Sequence, residues 1–338
     1  MPVRIGLNGF GRIGRYLTRL LAGETGLELV AVNARADNAQ LAHLLRYDSV
    51  HGRFTGTVEA DGDGFTVGGR RVRVVRGKPG AWQWGDLGVD IVVESTGAFR
   101  DRASCEAMLA SGCGKVVISA PGQNPDRTIV MGVNDHELLA EDRIISNASC
   151  TTNCLAPVAL ALHEAFGVER GLMTTIHAYT MSQRILDGTH KDLRRARAAA
   201  VNMLPTTTGA AKAVAQVIPA LAGRLDGMAV RVPTPDGSLV DLTVELGRDT
   251  SAHEINEVLR RAATERFAGI MGYSDEPLVS SDYIGTTYAG VVDGLCTSVM
   301  RDRLAKVIIW YDNESGFTNQ LLRLVRKVAH MAEGAQGM

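Results

Sequence analysis

The chain has 338 residues, enough for two domains with sizeable cores. Its 45% hydrophobic and 22% charged fractions are ordinary for a globular protein. A net charge of −1 excludes a global field that would draw nucleic acid, a membrane surface or a polyanionic partner.

Met1-Pro2-Val3 runs straight into a strand-like segment, which leaves no room for a signal peptide. No apolar run approaches the roughly 20 residues that span a bilayer. The five cysteines (105, 113, 150, 154 and 296) include no C-x-x-C pair and no histidine at ligand spacing. That pattern fits a reducing cytoplasm rather than a disulfide scaffold, and no metal site is expected.

Val3 to Asn8 reads as a short buried strand. Gly9-Phe10-Gly11-Arg12-Ile13-Gly14 follows at once, a helix is expected over Arg15 to Ala22, and Leu27 to Asn33 is the next strand. A G-x-G-x-x-G set between strand and helix inside such a β-α-β unit is a dinucleotide-binding fingerprint. Gly9 permits the tight turn, Gly11 lets the pyrophosphate approach the backbone, and Gly14 lets the helix pack on the strand. Amides of this loop, from Gly9 through Phe10, Gly11, Arg12 and Ile13, then bind phosphate at the helix start.

Cofactor choice is written at the end of the second strand, where an acid accepts from the ribose 2′-OH of NAD. Here the residues are Asn33-Ala34-Arg35, with no acid to repel a 2′-phosphate and an arginine to pair with it. NADP is therefore expected over NAD. Residues 51–84 read as a Gly-rich antiparallel insertion without chemistry. Further strands are expected over 90–94, 115–119 and 143–146. The loops Ser95-Thr96-Gly97 and Ser119-Ala120-Pro121 would line the cofactor crevice at the carboxyl edge of the sheet.

Ser146-Asn-Ala-Ser149-Cys150-Thr151-Thr-Asn-Cys154 then places one cysteine among small polar residues at a helix start, with helical apolar spacing running on to Phe166. With Ser149 as the N-cap, Cys150 sits in the first turn, where the helix favours thiolate over thiol. Cys154 is its i+4 neighbour, but no second ligand pair turns the two into a metal site. A strand over 171–180 carries His177, the expected base of a Cys–His couple. The run His190 to Arg197 is dense in basic residues, Thr206-Thr-Thr208-Gly209 opens another helix, and Arg231 lies inside a strand. Cations and helix-start amides near one thiolate predict a substrate bearing phosphate. Strands over 238–246 and 306–311, a helix over 251–263 and a closing amphipathic helix from Ser315 complete the pattern.

The motifs N-G-F-G-R-I-G-R, S-C-T-T-N-C-L-A-P, H-A-Y-T, T-G-A-A-K-A-V, R-V-P-T-P and W-Y-D-N-E occur in the order and spacing of glyceraldehyde-3-phosphate dehydrogenase, which the chain resembles from end to end. The resemblance implies an α/β chain. A Rossmann-type, doubly wound parallel sheet over 1–149 is completed by the C-terminal helix 315–338. An α+β catalytic domain with a mostly antiparallel sheet spans 150–314. It implies a phosphorylating enzyme in which Cys150 attacks the aldehyde, His177 handles the hydroxyl proton, and inorganic phosphate releases an acyl phosphate from a thioester. The implied phosphate ligands are Thr180, Arg195 and Arg231 at one site, and Ser149, Thr151, Thr208 and Gly209 at the other. Asn313 would hold the nicotinamide carboxamide.

Some positions depart from the family pattern. NAD-preferring members carry Asp where this chain has Ala34, and a proline pair where it has Gly188-Thr189. Thr189, reaching the adenosine pocket from a neighbouring subunit of a homotetramer, fits the same NADP reading. Ser182 stands where Asp is common, and Phe317 keeps a ring but loses a hydroxyl. The rival activities are an erythrose-4-phosphate dehydrogenase and, in another class, a non-catalytic RNA-binding or scaffold protein. The basic run at 194–197 is the one feature in favour of the latter.

Overall fold

The structure is a computed structural model that describes residues 1–336, with side chains described as far as Met331. The tip of the expected closing helix, residues 337–338, lies outside the described residues. The chain folds as two compact units. The first comprises Met1–Ile129, Asp135–Ser149 and the chain from Leu321. The second comprises Val130–Asn134 and Cys150–Gln320.

The first unit opens with β1 (Val3–Asn8), α1 (Arg12–Leu21), β2 (Leu27–Asn33) and α2 (Asn38–Arg46). The strands β3 (Val58–Ala60), β4 (Gly64–Val67) and β5 (Arg70–Val75) follow. After them come β6 (Ile91–Glu94), α3 (Arg102–Ala110), β7 (Lys115–Ile118), β8 (Arg127–Thr128) and β9 (Ile144–Ser146). They form one nine-stranded sheet in the order β3-β4-β5-β2-β1-β6-β7-β9-β8. The β3–β4 and β4–β5 pairs are antiparallel, whereas β5 pairs parallel to β2 and the remaining neighbours are parallel. The chain order reverses at β1, between β2 and β6, and this is where a doubly wound sheet opens a crevice. Ile91 to Glu94 are all buried, as expected of a strand covered on both faces.

Helix α1 starts three residues earlier than its apolar spacing predicts, because Gly11 serves as N-cap and Gly14 sits inside the helix. A Cβ on Gly14 would stand 2.5 Å from the Gly9 carbonyl oxygen, so only glycine lets the helix lie this close to the turn. Helices α2 and α3, absent from the sequence reading, are each opened by an aspartate: Asp37 accepts from the Gln40 amide and Asp101 from the Ser104 amide.

The second unit contains α4 (Cys150–Phe166), β10 (Val168–Ala178), β11 (Leu204–Thr207), α5 (Ala210–Val217), β12 (Leu225–Val232) and β13 (Ser238–Leu246). It continues with α6 (Ala252–Thr264), β14 (Met271–Ser274), β15 (Gly290–Met300) and β16 (Leu304–Tyr311). The sheet order is β11-β12-β10-β13-β16-β15-β14, with antiparallel pairs outnumbering parallel ones. Strict alternation along β13 buries Val240, Leu242, Val244 and Leu246 on one face. Helix α7 (Ser315–Gln336) begins in this unit and joins the first from Leu321. No helix among the described residues is long and apolar enough to cross a membrane.

Candidate active site

In the first unit, the ends of β1, β2 and β6 frame a cavity of about 950 Å³. Gly9, Phe10 and Gly11 line it, together with Asn33, Ala34 and Arg35 from the end of β2 and Thr96 beyond β6. Gly9 adopts φ +101°, and a Cβ there would meet the Thr96 backbone nitrogen at 2.8 Å; open space lies above Gly11. A turn that excludes every Cβ at the first glycine and leaves room at the second fits a dinucleotide pyrophosphate. Phe10 is buried and packs on Phe65, with ring centroids 5.4 Å apart. Arg12 and Ile13 form the first turn of α1; the Arg12 guanidinium is bound to Asp48 and holds that carboxyl down at about 2.

Gly97 follows with φ +72°, and Ser119 closes β7 by donating its amide to the Glu94 carbonyl oxygen. Arg35 is exposed at the cavity edge. Arg76, Gly77, Lys78 and Trp82 also line this cavity. They come from the segment 51–84, which the sequence reading left without chemistry. Pairing of β5 beside β2, Ala31 opposite Arg73, brings them there. Arg76 donates to the Ala36 carbonyl and to Asn38 Oδ1, both at 2.9 Å.

In the second unit, α4 begins at Cys150, and the Cys150 Sγ lies 3.5 Å from His177 Nε2. β10 and β12 run parallel in a register that sets His177 directly beside Arg231. His177 Nδ1 lies 2.7 Å from the Ala178 carbonyl oxygen and 2.9 Å from Arg231 Nη1. The Ala178 carbonyl oxygen can only accept and favours hydrogen on Nδ1, whereas Arg231 Nη1 can only donate and favours a lone pair there; the tautomer with hydrogen on Nδ1 is the one that presents the Nε2 lone pair to the thiol. Burial and then the Arg231 charge lower His177 to about 3, so the imidazole is neutral near pH 7. This ring stands at 85° to that of Tyr311, whose hydroxyl bonds Thr151 Oγ1 at 3.0 Å and Thr175 Oγ1 at 2.7 Å.

The helix start predicted a thiol inclined to ionise. Burial instead pushes the Cys150 thiol up from its ordinary value, because loss of water around sulfur outweighs the offsets from the Arg231 guanidinium and Thr151. The lone pair on His177 is therefore the route by which the proton leaves sulfur.

Arg231 Nη1 also donates to the Ala178 carbonyl oxygen at 2.9 Å, while its buried Nε–H has no partner among the described residues. Arg195 donates from Nε to Thr206 Oγ1 at 3.0 Å, and its charge lowers both Arg231 and His177. Thr180 Oγ1 pairs with Ser182 Oγ at 2.9 Å. Thr208 Oγ1 accepts from the Ala210 amide, and Gly209 N-caps α5, with open space where a Cβ would stand. Ser149 immediately precedes α4 at the edge of the first unit, and Thr151 is buried in the Tyr311 hydroxyl chain. Asn313 is buried, with Oδ1 accepting from Ser238 Oγ at 2.6 Å and Nδ2 left without a partner among the described residues. Thr189 is exposed, and its carbonyl oxygen accepts from Arg184.

Residues 3–102 match the family model "Glyceraldehyde 3-phosphate dehydrogenase, NAD binding domain", and residues 149–313 match that of the C-terminal domain of the same enzyme. The chain belongs to the glyceraldehyde-3-phosphate dehydrogenase family. It is 52% identical over 331 residues to glyceraldehyde-3-phosphate dehydrogenase of Geobacillus stearothermophilus, covering 97% of this chain and 99% of that protein. The same identity and coverage hold for glyceraldehyde-3-phosphate dehydrogenase 1 of Bacillus subtilis (strain 168). The enzyme of Mycobacterium tuberculosis (strain ATCC 25618 / H37Rv) is 52% identical over 336 residues, covering 97% of this chain and 99% of that protein. This chain is thus an oxidoreductase that uses a nicotinamide cofactor.

Proposed function

We propose that the chain is a phosphorylating glyceraldehyde-3-phosphate dehydrogenase that prefers NADP. The observation that carries the reading is the Cys150–His177 pair, 3.5 Å apart, beside an arginine with an unpaired buried N–H. As Cys150 Sγ attacks the aldehyde carbon, its proton passes to the neutral Nε2 of His177, and a thiohemiacetal forms. His177 then holds the hydroxyl hydrogen as the carbon is oxidised to a thioester. The nicotinamide, when bound, supplies a hydride acceptor. Inorganic phosphate attacks the thioester carbon, the C–S bond breaks, and sulfur leaves as thiolate while an acyl phosphate departs. The reaction is reversible, because the thioester and the acyl phosphate are both activated acyl groups.

Arg231 and Arg195 suit an anion: the Arg195 charge lowers Arg231, both charges lower His177, and Arg231 Nε–H awaits an acceptor. With Thr180 they form one phosphate site, and Ser149, Thr151, Thr208 and Gly209 form the other. Asn313 Nδ2–H and its fixed amide take the nicotinamide carboxamide. The G-x-G-x-x-G loop, Thr96, Gly97 and Ser119 take the rest of the dinucleotide.

The NADP preference rests on Ala34, which brings no negative charge, and on Arg35, Arg76 and Lys78 around the same cavity. Thr189 joins them in a homotetramer. That assembly is supported by exposed apolar side chains along one segment, Met181, Ile185, Leu186, Leu193, Val201 and Met203, each at least 75% exposed. The five free cysteines support a cytoplasmic location.

Steady-state assays with each cofactor, with and without phosphate, test this reading. Phosphate-dependent oxidation of glyceraldehyde 3-phosphate is expected, with KM lower for NADP than for NAD by about tenfold, equivalent to about 1.4 kcal/mol. Faster turnover of erythrose 4-phosphate without phosphate would overturn the substrate assignment, and equal KM values would overturn the cofactor preference.

A further inference from the structure

The first unit buries a carboxylate that the chemistry above does not use. Glu94, 1% exposed at the end of β6, accepts from Asn8 Nδ2 through Oε2 and from the Thr96 amide and hydroxyl through Oε1. Asn8, fully buried at the end of β1, uses its other amide atom, Oδ1, to accept from Asn33 Nδ2 at 2.7 Å. The second hydrogen of Asn33 Nδ2 goes to the Gly77 carbonyl oxygen at 3.2 Å. Asn33 lines the cofactor cavity, and its Oδ1 has no partner among the described residues.

With Glu94 ionised, these bonds leave no freedom in the order of donors and acceptors. A carboxylate only accepts, so Asn8 must turn its NH2 toward Glu94 and its oxygen toward Asn33. Asn33 must then turn its NH2 toward Asn8 and Gly77, which leaves an oxygen for the cavity. We propose that Glu94 is a positioning residue: acting through Asn8, it sets the Asn33 amide so that Oδ1 accepts a hydroxyl of the adenosine ribose. This rests on the reading of the cavity as the adenosine half of the cofactor site. The acceptor takes the place of the acid missing at Ala34. Because NADP carries phosphate on the ribose 2′-oxygen, the hydroxyl shared by both cofactors is the 3′-OH. The contact therefore strengthens binding of both without choosing between them.

Glu94→Gln keeps the shape and reverses the order. A glutamine retains the Thr96 bonds through its oxygen and offers NH2 to Asn8, so Asn8 flips and turns its own NH2 on Asn33, which flips in turn at the loss of its Gly77 bond, and an NH2 replaces the acceptor in the cavity. Adding Asn8→Asp to Glu94→Gln puts an acceptor-only group between the two amides and restores the Asn33 orientation. The test is calorimetric titration of the full-length wild type, Glu94→Gln, Asn8→Asp/Glu94→Gln and Asn33→Ala with NADH and with NADPH, alongside thermal melts. Glu94→Gln and Asn33→Ala are expected to weaken both cofactors by about tenfold, with the NADPH to NADH ratio unchanged, and the double variant to recover to within about threefold of wild type. Wild-type affinity in Glu94→Gln, or a double variant no better than Glu94→Gln at equal melting temperature, would overturn the relay. Asn33→Ala at a half-exposed position keeps the proposal testable if Glu94→Gln does not fold, because wild-type affinity there overturns it too. Failure of the cofactor reading itself would show instead as wild-type protein that binds neither NADH nor NADPH.

Discussion

The polar groups around Glu94 and those around Cys150 are handled in opposite ways. In the first, Glu94 is saturated by Asn8 and Thr96, and the strand ends are tied into one arrangement. In the second, Arg231 keeps a buried Nε–H without a partner among the described residues, Asn313 is held through Oδ1 alone, and the Cys150 sulfur lies within hydrogen-bonding reach of His177 and Thr151. A saturated network holds a shape, while unspent donors and a lone pair beside a thiol are costs retained for a ligand. The Glu94 network is thus suited to holding a geometry, and the surroundings of Cys150 to a reaction.

The largest effect expected from breaking this division is at the sulfur. Cys150→Ala should abolish aldehyde oxidation, by at least about a thousandfold in kcat, while calorimetry shows NADPH binding retained. Retained turnover would remove Cys150 from the chemistry. Next comes the charge beside it. Since Arg231 draws the Cys150 thiol down against burial, Arg231→Met should raise the thiol further and leave less thiolate at any given pH. Iodoacetamide alkylation of Cys150 at pH 7.5 should slow by about tenfold, one unit of pKa, and the rate-against-pH curve should move upward. An unmoved curve would mean Arg231 does not act on sulfur.

In the first unit, Ala34→Asp should abolish the cofactor preference, raising the KM for NADP by about tenfold while leaving NAD within about twofold. An unchanged ratio would show that Arg35 and Arg76 do not meet a 2′-phosphate. The last effect is on stability. Burial lifts Glu94 to about 7 from an ordinary 4.5, against donors from Thr96, Asn8 and the Gly97 amide, with the Cys105 thiol the neighbour that senses its charge. The folded state therefore holds this proton more tightly than the unfolded state, so stability falls as pH rises from about 4.5 to about 7. The fall is on the order of 3 kcal/mol at most. Glu94→Gln should lack that part of the decline in urea titrations across the window. Parallel curves for the two proteins would contradict it.

What could be read from the sequence followed from how local each signal is. The turn from Asn8 to Gly14 and the strand Leu27–Asn33 are written in adjacent residues, and the structure reproduces them to within the first turn of α1. Cys150 at a helix start and His177 within a strand were likewise visible, but their separation of 3.5 Å comes from long-range packing. Arg76 and Lys78 were missed because only the β5–β2 pairing carries them to the cavity. The strands Met271–Ser274 and Gly290–Met300 went unread as well. The second of these alternates only over its later half, its first five residues being buried without interruption. The upward push of burial on the Cys150 thiol was not legible, because a helix start can be seen in a sequence and the loss of water around a sulfur cannot.

The account turns on an acyl group carried by one sulfur and released by phosphate. Mass spectrometry of the protein after brief exposure to glyceraldehyde 3-phosphate and NADP, without phosphate, tests this most directly. The expected result is a phosphoglyceroyl thioester on the peptide containing Cys150, discharged when inorganic phosphate is added. An unmodified Cys150, an adduct on another residue, or an adduct indifferent to phosphate would contradict it.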